Sequence, residues 1–307
     1  MFHVLHSDGM LARNYPSPWP HEHAYLGQRH LVVQLARNEG SMKRYSQLVV
    51  LAALQVLRVG SLDTEIATAN DTFVCTHPTY KIIKVSSSPL IIYLQNFLTP
   101  YEQEHLKEIS RNSFRRSAIA GTDGAETSRT RTSQSTDVRR DDTVRCIEER
   151  ALTFQGFDTK ESQLEPLQLV KYTVGEQYDF HTDWFTDPQY YTSYNGGNRF
   201  SSFFVYVHVS NDTTGGGTNF PYVDPPKDER WCSFVECDEP YANGVTFRPR
   251  RGNAIYWENL TPRGDGDIRT EHAGLPVTSG EKIGMNIWTR QVAMSEEIRR
   301  ENEPLDF

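Results

Sequence analysis

LQLVKYTVGEQYDFHTDWF, residues 167–185, is the stretch on which the reading of this chain turns. Two short β-prone runs, 167–173 and 177–181, flank the turn residue Gly175, and the second leads into His181 and Asp183, two positions apart. If the chain stays extended there, period-two alternation sends both side chains to one face, where an imidazole nitrogen and a carboxylate oxygen can share a metal ion. Most His-x-Asp pairs bind nothing, so the reading needs a third ligand, and the remote His272 supplies one in chemical terms. Three ligands on one face of an octahedron leave positions open for a co-substrate, water or dioxygen, unlike a closed tetrahedral zinc site.

Outward from this stretch the same rhythm continues. Further β runs are expected at 201–209, 245–249, 254–257 and 282–289, punctuated by Gly196, Gly197, Gly215, Gly216, Gly217, Gly252 and Gly280. Short strands between glycine turns predict a mainly β core, most economically a jelly roll with two Greek keys. A parallel nucleotide-binding sheet is disfavoured because its crossover helices are missing from this half. The glycines at 215–217 read as a turn that presents Thr218 inward, and they lack the Lys-Ser/Thr ending of a phosphate-binding loop.

Towards the N-terminus the pattern predicts strands at 80–85 and 90–94, a helix over 101–111 opened by Pro100, and a second helix over 142–152. Residues 114–141 are rich in Arg, Ser, Thr, Asp and Gly and read as a long mobile loop, whose block Arg129, Thr130, Arg131, Thr132, Ser133 can meet an anionic or peptide ligand. The expected organisation is an extension at 1–60, a helix and strand buttress at 61–164, a catalytic core at 165–291 and a tail at 292–307. Within the extension, 43–59 predicts an amphipathic or buried helix, with a degenerate targeting or anchor segment as its alternative, so a cytoplasmic and an endoplasmic-reticulum location both stay open. His21 and His23 read as exposed side chains rather than a metal site.

Hydrophobic residues make up 37% of the 307 and charged residues 23%, the composition of an ordinary folded protein. A formal charge of −8 argues against a non-specific nucleic-acid surface. Cys75, Cys146, Cys232 and Cys237 form no CxxC pair and no zinc-ribbon spacing; Cys232 and Cys237 are near enough in sequence to bridge a small loop, which spacing alone does not establish. No obligate protein partner is deducible.

Together with GGNRFSSFFVYVHVS (196–210), GGGTNFP (215–221), RGNAIYWENL (251–260) and EHAGLPVTSGEKIGMNIWTR (271–290), the opening stretch resembles the catalytic domain of the prolyl 4-hydroxylase family of Fe(II)/2-oxoglutarate dioxygenases, over most of 89–290. The resemblance implies a double-stranded β-helix, His181, Asp183 and His272 as iron ligands, Lys282 as anchor for the distal carboxylate of 2-oxoglutarate, and Tyr172 as its hydrogen-bonding companion. Thr218 belongs to the same co-substrate pocket, and Tyr178, Arg199 and Trp288 surround the cavity. Trp184, Arg129 and Arg131 are expected near the substrate entrance, Trp184 as part of an aromatic set with Phe185, Tyr190, Tyr191 and Tyr194 that is equally compatible with loop packing. Implied too are dioxygen as co-substrate, ascorbate as reductant, and hydroxylation of an unactivated C–H bond. The preferred substrate is C4 of proline in a peptide; the alternatives are a free amino acid, small peptide or metabolite, or a catalytically silent binding barrel. A departure from the family pattern is the insertion 231–243, which holds both nearby cysteines.

Overall fold

The computed structural model describes residues 73–300 apart from 122–123, 127–128, 157 and 239–242, and of 119–121, 124–126 and 299–300 the backbone alone. The expected helix at 43–59 and the His21–His23 segment lie outside the described residues. None of the described helices is long and apolar enough to cross a membrane.

An eight-stranded sheet forms the floor of the molecule. It runs β1 (Lys81–Ser87), β2 (Leu90–Gln95), β13 (Ala254–Glu258), β9 (Arg199–Val209), β16 (Lys282–Arg290), β7 (Gln168–Tyr172), β6 (Gln134–Asp137), β3 (Arg115–Arg116), with antiparallel neighbours throughout. A four-stranded sheet, β12 (Val245–Phe247), β11 (Thr218–Phe220), β14 (His272–Gly274), β8 (Tyr178–His181), faces it. The remaining short strands pair as β4 (Ile119–Gly121) with β5 (Gly124–Glu126), and β10 (Thr214–Gly215) with β15 (Val277–Ser279). Strands that alternate between two packed sheets make the jelly-roll core expected from the sequence.

The central strands of the large sheet are buried on both faces, and strand alternation sorts their residues. On β9, Phe203, Val205 and Val207 point to the helices while Phe204 and Tyr206 point to the small sheet; on β16, Ile283, Met285 and Ile287 take the helix side. The other parity of β16 therefore delivers Lys282, Asn286 and Trp288 to the space between the sheets. This parity makes a strand of hydrophobic residues carry a catalytic face.

Helix α1 (Pro100–Ser110) starts at Thr99, whose hydroxyl accepts from Glu102 N while the Glu102 carboxylate accepts from Thr99 N, and Pro100 fills the first turn where no donor is needed. Helix α2 (Asp142–Gln155) is capped by Asp141, which accepts from Val144 N at 2.9 Å. Leu106 of α1 and Val144, Ile147 and Ala151 of α2 close over the large sheet. Arg150, 1% exposed, donates to the equally buried Glu102 and to Phe97 O, tying the helices together. A short helix, α3 (Glu296–Arg300), follows β16.

The expectation of a mobile loop at 114–141 is corrected. Gln134–Asp137 extends the large sheet by pairing with β7, Arg115 and Arg116 pair with it in turn, and Ser117, Arg131 and Ser133 are buried. Polar composition misleads here because an edge strand is held by backbone hydrogen bonds and needs no apolar stripe of its own. The first part of the insertion, residues 231–238, covers the edge of the small sheet: Val235 bridges to Phe247, Phe234 stacks on Tyr93 at 4.3 Å, and Cys232 is joined to Cys237. A second disulfide, Cys75–Cys146, ties the segment before β1 to α2.

Candidate active site

His181 closes β8 and His272 opens β14, and the two are direct partners in the antiparallel register, so their rings lie 4.3 Å apart. Asp183 arrives differently from the expectation. The strand stops at His181, and the carboxylate is carried by the bend at Asp183 and Trp184, beyond the strand ladder. Its oxygens sit 3.9 Å from the Nε2 atoms of His181 and His272, and one donor atom from each of the three residues falls within 4.8 Å of the others.

The donor set is aimed. Backbone carbonyls can only accept, so the contacts of His181 Nδ1 with Asp179 O (2.7 Å) and of His272 Nδ1 with Thr270 O (3.0 Å) place the ring protons on Nδ1 and turn each Nε2 lone pair to the centre. Burial, followed by the neighbouring His272, pushes His181 down to about 3, so it is a neutral imidazole at physiological pH. Burial alone would raise Asp183, but His272, His181, Arg199 and the Ser202 hydroxyl outweigh it and hold the carboxyl at about 2. A facial pair of imidazoles with one carboxylate suits Fe(II) and leaves room for further ligands.

Asp183 is itself held. Its Oδ2 accepts from Trp288 Nε1 at 3.0 Å and from Ser202 Oγ at 2.7 Å; Asn259 Nδ2 donates to Ser202 Oγ, and Trp257 Nε1 donates to Asn259 Oδ1, each at 2.8 Å. The sequence reading missed Ser202, Asn259 and Trp257. The signal available was a pair of serines inside the apolar run of β9 and an asparagine just after that of β13, because buried polar groups require partners.

The cavity beside the triad is lined by Tyr172, Tyr178, Phe204, Thr218, Asn286 and Trp288 among others. Lys282 lies behind this wall, with Nζ 4.4 Å from the Tyr172 ring centre and donating to Gly216 O. It is fully buried, and burial alone pulls its ammonium down to about 7, with no carboxylate opposing the shift. A buried cation without a counter-ion among the described residues fits a dianionic carboxylic acid such as 2-oxoglutarate. Tyr172 stands opposite Lys282 in the β7–β16 register, and Thr218 Oγ1 shares a hydrogen bond of 2.8 Å with Tyr206 OH. Gly284 admits the Phe204 ring, since a Cβ there would lie 2.2 Å from it.

The residues expected around the substrate divide. Tyr178 stacks on His181 at 3.5 Å and Trp288 bonds Asp183, so both belong to the cavity. Arg131 packs over Tyr178 at 4.8 Å and donates to Ala118 O and Gln168 Oε1. Arg199 lies over the Trp288 ring at 3.6 Å with its guanidinium engaged in a two-pronged pair with Glu165, which Arg290 also joins; it backs the cavity rather than lining it. Trp184 is turned away from the triad cavity: its ring packs against Gly266 and its Nε1 donates to Asp267 O. Arg129 is exposed.

Residues 167–290 match the family model of the 2OG-Fe(II) oxygenase superfamily. The chain is 33% identical over 216 residues to probable prolyl 4-hydroxylase 4 of Arabidopsis thaliana, covering 68% of this chain and 70% of the relative. It is 32% identical over 256 residues to prolyl 4-hydroxylase 2 of the same plant, covering 81% of each. Among solved structures it is similar to the viral collagen prolyl hydroxylase of Paramecium bursaria Chlorella virus-1 in complex with 2OG, at 21% identity, 72% of this chain, 100% of that chain and a TM-score of 0.46. Sheet topology and site together define a non-haem iron oxygenase. The chain belongs to the prolyl 4-hydroxylase-like family of the 2OG-Fe(II) oxygenase superfamily, and it is an Fe(II)- and 2-oxoglutarate-dependent dioxygenase.

Proposed function

We propose that His181, Asp183 and His272 hold the iron, that Lys282 with Tyr172 and Thr218 receives the distal carboxylate of 2-oxoglutarate, and that the enzyme hydroxylates C4 of proline in a peptide, with ascorbate as the reductant that keeps the iron ferrous. The observation that carries this reading is the pairing of two buried features on opposite sheets. Three converging donors sit on β8, the bend after it and β14, and a buried ammonium with no carboxylate partner among the described residues sits on β16. The peptidyl substrate rests on similarity to relatives named prolyl 4-hydroxylases and on the aromatic pair Tyr178 and Trp288 at the cavity, which suits a proline ring and an extended chain.

When bound, iron with 2-oxoglutarate and dioxygen supplies the oxidant for the C–H bond, with succinate and carbon dioxide as co-products. The chain's own groups do the rest. The backbone carbonyls of Asp179 and Thr270 fix the imidazole tautomers, Trp288 and Ser202 fix the carboxylate, and Lys282 orients the co-substrate by its far end. Phe204, Tyr172 and Trp288 keep the wall apolar and limit water.

The test is mass spectrometry of anaerobically reconstituted enzyme offered proline-rich peptides, free proline and a metabolite panel, each with Fe(II), 2-oxoglutarate and ascorbate. One added oxygen on a peptidyl proline is expected. Oxygen delivered only to a metabolite overturns the substrate and spares the iron chemistry. Iron and 2-oxoglutarate binding without turnover on any substrate favours a silent barrel.

A further inference from the structure

Among the described residues a second group of metal-ligating side chains lies on the helix-covered side of the large sheet, remote from the chemistry above: Cys75, His77 and Cys146, with Glu149 beside them. We propose that these four form a redox-gated metal site, closed while Cys75 and Cys146 are a disulfide and, once reduced, tetrahedral for a thiophilic divalent cation such as zinc.

The spacing puts the donors on two elements. Cys75 and His77 are two apart in the extended arm before β1, and Cys146 and Glu149 are three apart on α2, hence on one helix face. Cys75 Sγ lies 3.8 Å from His77 Nε2 and 4.0 Å from Glu149 Oε2, and His77 Nε2 lies 4.0 Å from the same oxygen. Around a tetrahedral zinc with the usual sulfur, nitrogen and oxygen bond lengths, ligand atoms stand about 3.3–3.8 Å apart. The three separations, 3.8, 4.0 and 4.0 Å, thus exceed that frame by roughly 0.2–0.7 Å, a contraction that side-chain rotation can supply. The two sulfurs, now bonded, must part, and Cys75 is on the exposed arm where such a shift is accommodated.

No proton joins Cys75 Sγ to Glu149 in the oxidised state. A disulfide sulfur has no hydrogen and a carboxylate only accepts, so the approach of Cys75 Sγ to Glu149 is not a hydrogen bond. The arm is moreover held by contacts that do not depend on the disulfide. Buried Arg150 donates to Thr76 O, between the two arm ligands, at 3.2 Å, and Phe73 stacks on Tyr101 at 5.8 Å. The same guanidinium lies 3.8 Å from Cys146 Sγ, where its charge favours a thiolate after reduction.

The chemistry balances through a dithiol reductant. Its thiolate attacks one sulfur, the S–S bond breaks, and the mixed disulfide is resolved by the second thiol. The reductant leaves as a disulfide having given two electrons, and Cys75 and Cys146 emerge as thiols. Binding of one divalent cation then releases their two protons.

The experiment uses the full chain with Cys232→Ser and Cys237→Ser, so that one cysteine pair remains. It is reduced with a water-soluble phosphine, which departs as its oxide with oxygen from water, and is then titrated anaerobically with Co(II). The reduced protein is expected to take up one more cobalt than the oxidised protein and to show a thiolate-to-cobalt charge-transfer band. The iron centre, two imidazoles and a carboxylate without sulfur, cannot give that band, which should therefore survive His181→Ala. Zinc should bleach it, and His77→Ala, which leaves both sulfurs and the disulfide available, should weaken uptake by at least the roughly 10–100-fold that changes around metal ligands cost. Absence of the band in folded reduced protein overturns the proposal. So does an unchanged affinity in His77→Ala, or unfolding of the chain on reduction as read by circular dichroism.

Discussion

The two facing sheets are built on different terms. The large one has strands of up to 11 residues whose alternate side chains are buried on both faces, Phe203 against the helices and Phe204 against the site. The small one has strands of three or four residues, and two of its four strands carry a metal-ligating histidine at an end. Long, doubly buried strands hold position; short ones let polar side chains converge. The contrast teaches where stability and chemistry are separable: substitutions in the large sheet's helix-facing parity should cost folding, and those at the ends of the small sheet's strands should cost reaction.

Asp183→Asn gives the sharpest form of that separation. Its amide oxygen can still accept from Ser202 and Trp288, so the fold should survive, while iron binding and coupled turnover fall below detection because one of three ligands loses its charge. Iron titration, succinate release and a thermal melt on the same sample read both halves. Retained turnover would remove Asp183 from the ligand set. Phe203→Ala is the counterpart in the large sheet. Phe203 is fully buried against Phe97, Phe154 and Tyr256, and its loss should cost about 3–5 kcal/mol in a denaturant midpoint measurement. A cost below about 1 kcal/mol would contradict the packing assigned to that face.

Lys282 blurs the division, since it is a polar residue on the large sheet. Lys282→Met should weaken 2-oxoglutarate by roughly 100-fold or more, the scale of removing one partner of a buried charge pair, and leave iron uptake intact. The pH dependence follows from the ammonium being depressed to about 7 in the folded protein. Below that value the wild type offers a charged anchor; above it co-substrate binding must take up a proton, so affinity should fall as pH rises. For folding the sign is opposite. Between about 7 and the ordinary lysine value of 10.5 the unfolded chain binds more protons, so the Lys282 contribution makes wild-type stability climb with pH. The methionine variant should lack both slopes. Calorimetric 2-oxoglutarate titrations and melts across this range check them, and parallel profiles in both proteins would reject the assignment.

The same difference between sheets explains what was legible. The strands at 167–173, 201–209 and 282–289 were readable because they are long and apolar, and their observed counterparts differ by two residues or fewer at either end. His272-Ala273-Gly274 carries no β pattern; it is a strand only because β11 and β8 bond it on both sides. Asp183 does converge with His181, though the strand ladder ends at His181 and a bend begins at Asp183 itself. Cys75 and Cys146 are 71 residues apart, and no local signal links residues so distant. Lys282 was identified by resemblance; strand parity on β16 supplies the physical reason for where it points.

Ser202 tests how far the scaffold reaches into the chemistry. It lies on β9, on the large sheet, yet its hydroxyl donates to Asp183 Oδ2 and accepts from Asn259, which in turn accepts from Trp257. Ser202→Ala removes one of the two donors on that oxygen and leaves Trp288 as the other. The carboxylate then gains freedom to rotate, and the Asn259 amide loses its acceptor inside a fully buried site. The expected result is iron affinity lower by roughly 10-fold, the low end of outer-shell effects, with a modest stability loss of about 1–3 kcal/mol from the stranded amide. Ser202→Thr keeps the hydroxyl and should recover affinity if the added methyl is accommodated. Anaerobic iron titration of the three proteins decides the matter. Equal affinities in wild type and Ser202→Ala would show that Trp288 alone orients Asp183 and that the large sheet steadies the triad through β16 rather than β9.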